Sequence, residues 1–224
     1  MKKTIIMLTI LVAGSIQLTA QTSATEISPG KKFISAMETN LRILDTASNA
    51  SSFIALANNF DRIAAAEKTK WEPFYYAAYC YAVMAAFTPD KTKIDMLTDK
   101  ADLWLQEANN LQKGNSEIAA LFAMIKSLKI LVDPVNRWQK LGQEVAGYLT
   151  SAKQQDANNP RPYLIEARIK FNTPEGLGGG KEAAKALITD AITKFGNFKP
   201  QSSIAPNWGL QQAESFLAKL NESK

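Results

Sequence analysis

The side chains able to do chemistry are few in this chain, and one type is missing altogether. Among 224 residues there is no histidine. That removes histidine-based acid–base catalysis, Ser-His and Cys-His nucleophiles, and nearly all zinc sites. Carboxylates remain. Asp95, Asp99 and Asp102 recur at four and three and share a helix face, with Lys91, Lys93 and Lys100 close by. The reading is a solvated charged face rather than a metal or catalytic site. The single cysteine, Cys80, cannot close an internal disulfide. It lies in the apolar stretch from Tyr75 to Phe87, which predicts a buried, inert thiol.

Two other stretches invite a functional reading. The run Gly176-Leu177-Gly178-Gly179-Gly180-Lys181 looks like a phosphate loop but fails in detail. A P-loop needs glycine where Glu175 stands and Ser or Thr where Glu182 stands, and a dinucleotide fingerprint needs glycine at 181 or 183, where Lys181 and Ala183 stand. The reading is an irregular helix connection, with glycines supplying positive φ; the alternative is a loop that contacts a partner. The aromatic run Trp71, Phe74, Tyr75, Tyr76, Tyr79, Tyr81 is dense. Most of it must be core between helices, although tyrosines can also line a groove, combining apolar area with a hydroxyl. No constellation here predicts an enzyme, and none calls for a cofactor or a metal.

The elements that must position these residues are helices. Apolar positions recur at three and four from Ile34 through Leu44, and again at Phe53, Leu56, Phe60 and Ile63, with Ser51 or Ser52 as a cap. A third helix is expected over 72–87. Thr88-Pro89 supplies a cap and a first-turn proline for a fourth, which ends near Leu111 before the stop signal Gly114-Asn115. A fifth, 116–132, is apolar on nearly every face, as a helix buried on both sides should be. Asp133-Pro134 opens a sixth. The turn Asn158-Asn159-Pro160 opens a seventh, an eighth covers 181–195, and Leu210, Ala213, Leu217 and Leu220 mark a ninth. Period-two alternation never holds for more than a few residues, so no strand is expected.

Compartment is legible at the start of the chain. Residues 1–20 read as a signal peptide: Lys2 and Lys3, an apolar run from Ile5 to Val12, then Leu18-Thr19-Ala20 before the cut. Residues 21–30 read as a flexible polar segment. Removing the leader leaves 24 basic and 21 acidic residues, a net charge of +3, too weak to argue for nucleic acid. No later apolar run is long enough to cross a bilayer. The expectation is a periplasmic or secreted bacterial protein, stabilised by helix packing without disulfides.

The helices pair, and the pairs recur. Ala78, Ala123 and Ala167 are spaced by 45 and 44, each in the first helix of a pair. In second helices, Ala57, Ala101 and Val145 are spaced by 44, as are Phe60, Trp104 and Tyr148, and Ala64, Ala108 and Ala152. Small residues let two helices approach closely, and the aromatic fills the wedge beside them. The order small, aromatic, small in Ala101-Trp104-Ala108 and Ala57-Phe60-Ala64 resembles the tetratricopeptide repeat superfamily, as do Tyr163 and Ala167 after the Asn-Asn-Pro turn. The period of 44 is longer than that family's 34, and Ala78, Ala123 and Ala167 stand where its first helix carries glycine. The Thr-Pro-Glu and triple-glycine turn is similar to that of a group of small exported bacterial proteins.

The resemblance implies an all-α, right-handed superhelical stack of antiparallel helix pairs over 31–224. The pairs fall at about 31–67, 72–111, 116–156 and 160–196, with a C-terminal capping helix over 207–222. It also implies a concave face lined by first helices, with groove positions at Tyr75, Tyr79, Met124 and Arg168. That set suits an extended or helical apolar segment of a protein or peptide partner, with an acidic anchor at Arg168. The alternative is that long helices close the groove and bury all four. The function expected on this basis is a non-enzymatic protein-interaction or scaffolding module of the bacterial envelope. The rivals are a carrier of an apolar or aromatic small molecule in an aromatic-lined cleft, and an enzyme using carboxylates and tyrosines on the concave face.

Overall fold

The computed structural model describes residues 29–222. The expected signal peptide and most of the polar segment after it lie outside these residues. Among the described residues the chain is all-α, with no strand. It forms α1 (Pro29–Thr46), α2 (Ala50–Ala66), α3 (Trp71–Phe87), α4 (Lys91–Leu111), α5 (Ser116–Val132), α6 (Pro134–Gln155), α7 (Arg161–Asn172), α8 (Lys181–Asn197) and α9 (Leu210–Glu222), with a short 3-10 turn at Glu175–Leu177. The first helix thus takes in the last two residues of the stretch expected to be irregular.

Local chemistry explains the boundaries, with two corrections to the expected caps. Asn49, not Ser51 or Ser52, caps α2: its Oδ1 accepts from the Ser52 amide at 2.9 Å. Asp90, not Thr88, caps α4 by accepting from Thr92 N at 3.0 Å, which leaves Pro89 outside the helix. In both cases the residue directly before the first helical turn has the extended backbone that capping needs. Asn115 caps α5 and Asp133 caps α6, with Pro134 at the first helical position.

Packing follows the pairs. Helix α3 packs on α2, α4 and α5, and α5 packs on α4, α6 and α7. Both are therefore covered on nearly every side, which is why they are apolar all round. The repeated small residues sit at these contacts: Ala78, Ala123 and Ala167 are fully buried, as are Ala101, Ala108 and Ala152. Asp99 is exposed, as a solvated face requires, while Asp95 and Asp102 are drawn in against neighbouring helices. Asp102 accepts from Lys126 at 2.6 Å, Asp99 pairs with Lys129, and Asp95 takes both arms of Arg137. The row on α4 thus staples α4 to α5 and α6, and Arg137 holds the Asp95 carboxyl below the usual range. Sequence spacing alone could not show this, because the partners come from other helices.

The fourth pair breaks the register. Helix α7 has 12 residues where α3 and α5 have 17. The buried pair Ala184 and Ala191 in α8, with Leu187 between them, accordingly follows Val145 and Ala152 by 39 residues instead of 44. The glycine loop takes up the shortened helix. Gly178 and Gly180 have positive φ, and a Cβ on Gly179 would lie 2.2 Å from the Thr173 carbonyl oxygen. The loop is an irregular connection, as expected, and carries Leu177 outward, 67% exposed.

Candidate functional site

The seventh helix starts from a turn that is tied inward. Asn159 is fully buried. Its Oδ1 accepts from Arg161 N at 2.9 Å, and its Nδ2 donates to Ser116 Oγ at 2.9 Å, which donates in turn to Ala152 O at 2.7 Å. This fixes the next side chain, Arg161, which is 0% exposed. One arm donates to Glu117 Oε1 at 2.8 Å and the other to the Pro206 carbonyl at 2.7 Å. The guanidinium also lies 5.2 Å from the centre of the Trp208 ring and 4.9 Å from that of Phe198.

Two polar atoms in this network, Arg161 Nε and Glu117 Oε2, are buried without a hydrogen-bond partner. Burial pushes the Glu117 carboxyl from 4.5 up to about 7, with Arg161 pulling the other way. The folded state then holds this proton more tightly than the unfolded chain. The stability linked to it is fully present below about 4.5 and is lost as pH rises through about 7. Glu117→Gln should therefore gain on the wild type by on the order of 2 kcal/mol between pH 5 and pH 8. Urea unfolding at each pH measures this. A variant that loses ground at pH 8 would show that the Arg161 ion pair outweighs desolvation.

Trp208 is held between this network and α3. Its ring stacks on Tyr79 at 4.5 Å, and its Nε1 donates to the Tyr75 hydroxyl at 2.9 Å. Gly209 permits the placement: its φ is +122°, and an added Cβ would lie 2.4 Å from Phe195 Cζ. Trp208 packs against the core of the last helix pair and also reaches back to α3. Tyr75 and Tyr79, expected to line an open groove, are 0% and 5% exposed and lie beneath it. The chain's own segment 198–209 covers that part of the first-helix face.

Beyond Trp208 lies a cleft of about 960 Å³, between the C-terminal ends of α3, α5 and α7, the start of α6, the glycine loop and α9. Met124 and Arg168 line it together, so the structure brings two of the four expected residues to one site and leaves Tyr75 and Tyr79 behind its wall. The volume is at the upper end of the range for small-molecule pockets. Its walls carry Phe87, 81% exposed, Val135, 91%, and Trp138, 48%, together with Leu131 and Leu177. These five are nearly half of the eleven exposed large hydrophobics among the described residues. Clustering of this kind around one concavity marks a binding surface.

The polar groups are few. Arg168 is open to the cleft yet walled by protein, and desolvation lowers its pKa against the pull of Tyr79. Among the described residues none of the ion pairs involves it. Helix α9 adds Gln211, Gln212, Ser215 and Lys219. Sequence reasoning missed Phe87, Leu131, Val135, Trp138, Leu177 and Trp208. A signal existed: Val135 and Leu177 are apolar residues in a first turn and a glycine loop, where helix periodicity demands none.

No family model matches the chain, and no curated protein does. Among solved structures, the fold is similar to that of the HusA haemophore from Porphyromonas gingivalis, with a TM-score of 0.76 and 32% sequence identity. The match covers 88% of this chain and 98% of that one.

Proposed function

Because this chain belongs to the family of the HusA haemophore, we propose that it is a non-enzymatic carrier of haem or a closely similar macrocycle, bound in the apolar cleft beside Trp208. One observation carries the reading: five exposed apolar side chains and the ion-pair-free Arg168 converge on a single cavity of about 960 Å³. A porphyrin has two apolar faces and carboxylates on one edge. Phe87, Leu131, Val135, Trp138 and Leu177 supply apolar area for the faces, and a guanidinium is the preferred fork for a carboxylate.

The kinship corrects the expectation of a protein-interaction scaffold. The haemophore relative points to carriage of a small molecule, which was the alternative. The physical reason is the segment 198–209: it fills the part of the face where a peptide was expected and leaves a cleft rather than an open groove. Within this reading the helix pairs form a tetratricopeptide-like right-handed superhelix, supported by the buried small residues at spacing 44. Export to the periplasm or medium fits residues 1–20. Among the described residues no helix is long and apolar enough to cross a membrane.

Iron ligation has little to work with in this cleft. Haem iron is held by His, Cys, Met or Tyr. The chain has no histidine, Cys80 is buried in the core, and no tyrosine lines the cavity. Met124 is the only sulfur there among the described residues. Haemin and metal-free protoporphyrin should therefore bind with affinities within about tenfold of each other, roughly 1.4 kcal/mol. Absorbance titration and tryptophan quenching check this. The carrier reading fails if neither compound binds at micromolar concentration. Recognition through the macrocycle fails if haemin binds over a hundredfold tighter and Met124→Ala removes the difference.

A further inference from the structure

We infer that Arg161 is a positioning residue for the cleft: it does not line the cavity, but it holds from behind the Trp208 wall against which the ligand packs. This rests on the carrier reading given above. The arms of the guanidinium reach two elements, Glu117 at the start of α5 and the Pro206 carbonyl in the segment 198–209. Its face lies against Trp208 itself. Trp208 is clasped on the other side by Tyr79 and Tyr75, and it also lines the cavity. Arg161 is absent from that lining. Of the groups that the side chain contacts, Trp208 is the one that lines the cavity.

A buried ion pair is a costly way to join two helices, and this one leaves a nitrogen and an oxygen without partners. Apolar residues of similar volume could hold α5 to α7. They could not also bond the Pro206 carbonyl. The segment 198–209 has little backbone support of its own: Ala205 N to Ser202 O lies inside the stretch, and Phe198 N to Phe195 O and Ala213 N to Gly209 O tie its two edges. Ile204 anchors it in the core at 3% exposure. The five residues from Ile204 to Trp208 then depend on Arg161 for their only side-chain hydrogen bond to α7 among the described residues. A wall fixed before the ligand arrives spares the ordering cost on binding. Lysine cannot substitute, because a single ammonium has no fork to span the carboxylate and the carbonyl together.

The test is a double-mutant cycle on the full-length mature protein, with haemin as probe. Arg161→Lys should weaken haemin binding about tenfold or more with helicity retained. In a Trp208→Ala background the same substitution should change affinity less than twofold, since the element it acts through is gone. A loss as large in that background as in the wild type would overturn the proposal and show a general packing defect. A ligand-free readout separates this from the carrier reading. The fluorescence of Trp208, taken as the difference between wild type and Trp208→Phe, should shift to the red and become more accessible to acrylamide in Arg161→Lys. An unchanged Trp208 signal overturns the proposal even if haemin binds. A shifted signal with no haemin binding by the wild type keeps Arg161 as the anchor of the segment and sinks the carrier reading alone. Should Arg161→Lys not fold, Glu117→Gln loosens the same guanidinium from the other side and is put through the same cycle.

Discussion

Phe87→Glu with Val135→Glu should weaken haemin binding by about a hundredfold or more and leave thermal unfolding almost unchanged. Both side chains project into solvent at the cleft, 81% and 91% exposed, so the folded protein without ligand loses little by their replacement. A bound macrocycle would cover them. Covering a Phe and a Val contributes roughly 1.5–3 kcal/mol each, less what the ligand leaves uncovered. A net loss of about 3 kcal/mol is a little over a hundredfold in affinity. The two new carboxylates would also repel the carboxylates of a porphyrin. Affinity unchanged in the double variant, with the fold intact, would place the ligand elsewhere.

A large effect on stability is expected at Gly209. Alanine there must adopt a φ of +122° and bring its Cβ within 2.4 Å of the Phe195 ring and 3.3 Å of Leu164. Backbone strain of about 1–3 kcal/mol adds to a similar overpacking term. Gly209→Ala should therefore cost about 3 kcal/mol and lower Tm by roughly 6–12 °C for a chain of this size. Gly147, inside α6, has nothing within 4 Å of an added Cβ. Gly147→Ala should instead stabilise by about 0.5–1 kcal/mol. Calorimetry on the pair decides the point, because the chemical change is the same at both sites. If Gly209→Ala melts with the wild type, Trp208 is not held by the backbone geometry described.

Helix boundaries were largely legible because their causes are local. The turn Gly114-Asn115, the dipeptide Asp133-Pro134 and the Asn158-Asn159-Pro160 corner each act within a few residues of themselves. The two misassigned caps lay two or three positions from the true ones, where several capping residues stand together and only backbone geometry selects among them. The repeat was legible through three pairs and lost at the fourth, because a helix shortened by five residues moves every later position out of register. The acidic row on α4 was visible, but its partners were not: Lys126, Lys129 and Arg137 come from α5 and α6.

By itself, then, the sequence determined an all-helical chain of paired, closely packed helices without histidine chemistry, and it placed Met124 and Arg168 where the tertiary structure opens a cleft. Periodicity, capping and composition are properties of neighbouring residues, and they survive without a fold. The tertiary structure alone decided that Trp208 lies on Tyr75 and Tyr79, more than a hundred residues earlier in the chain. No local pattern encodes that contact, since it depends on how far the helix stack turns before segment 198–209 crosses it. The same contact buries the two tyrosines and builds the wall of the cavity, so the fold changed both which residues form the site and the kind of ligand it suits.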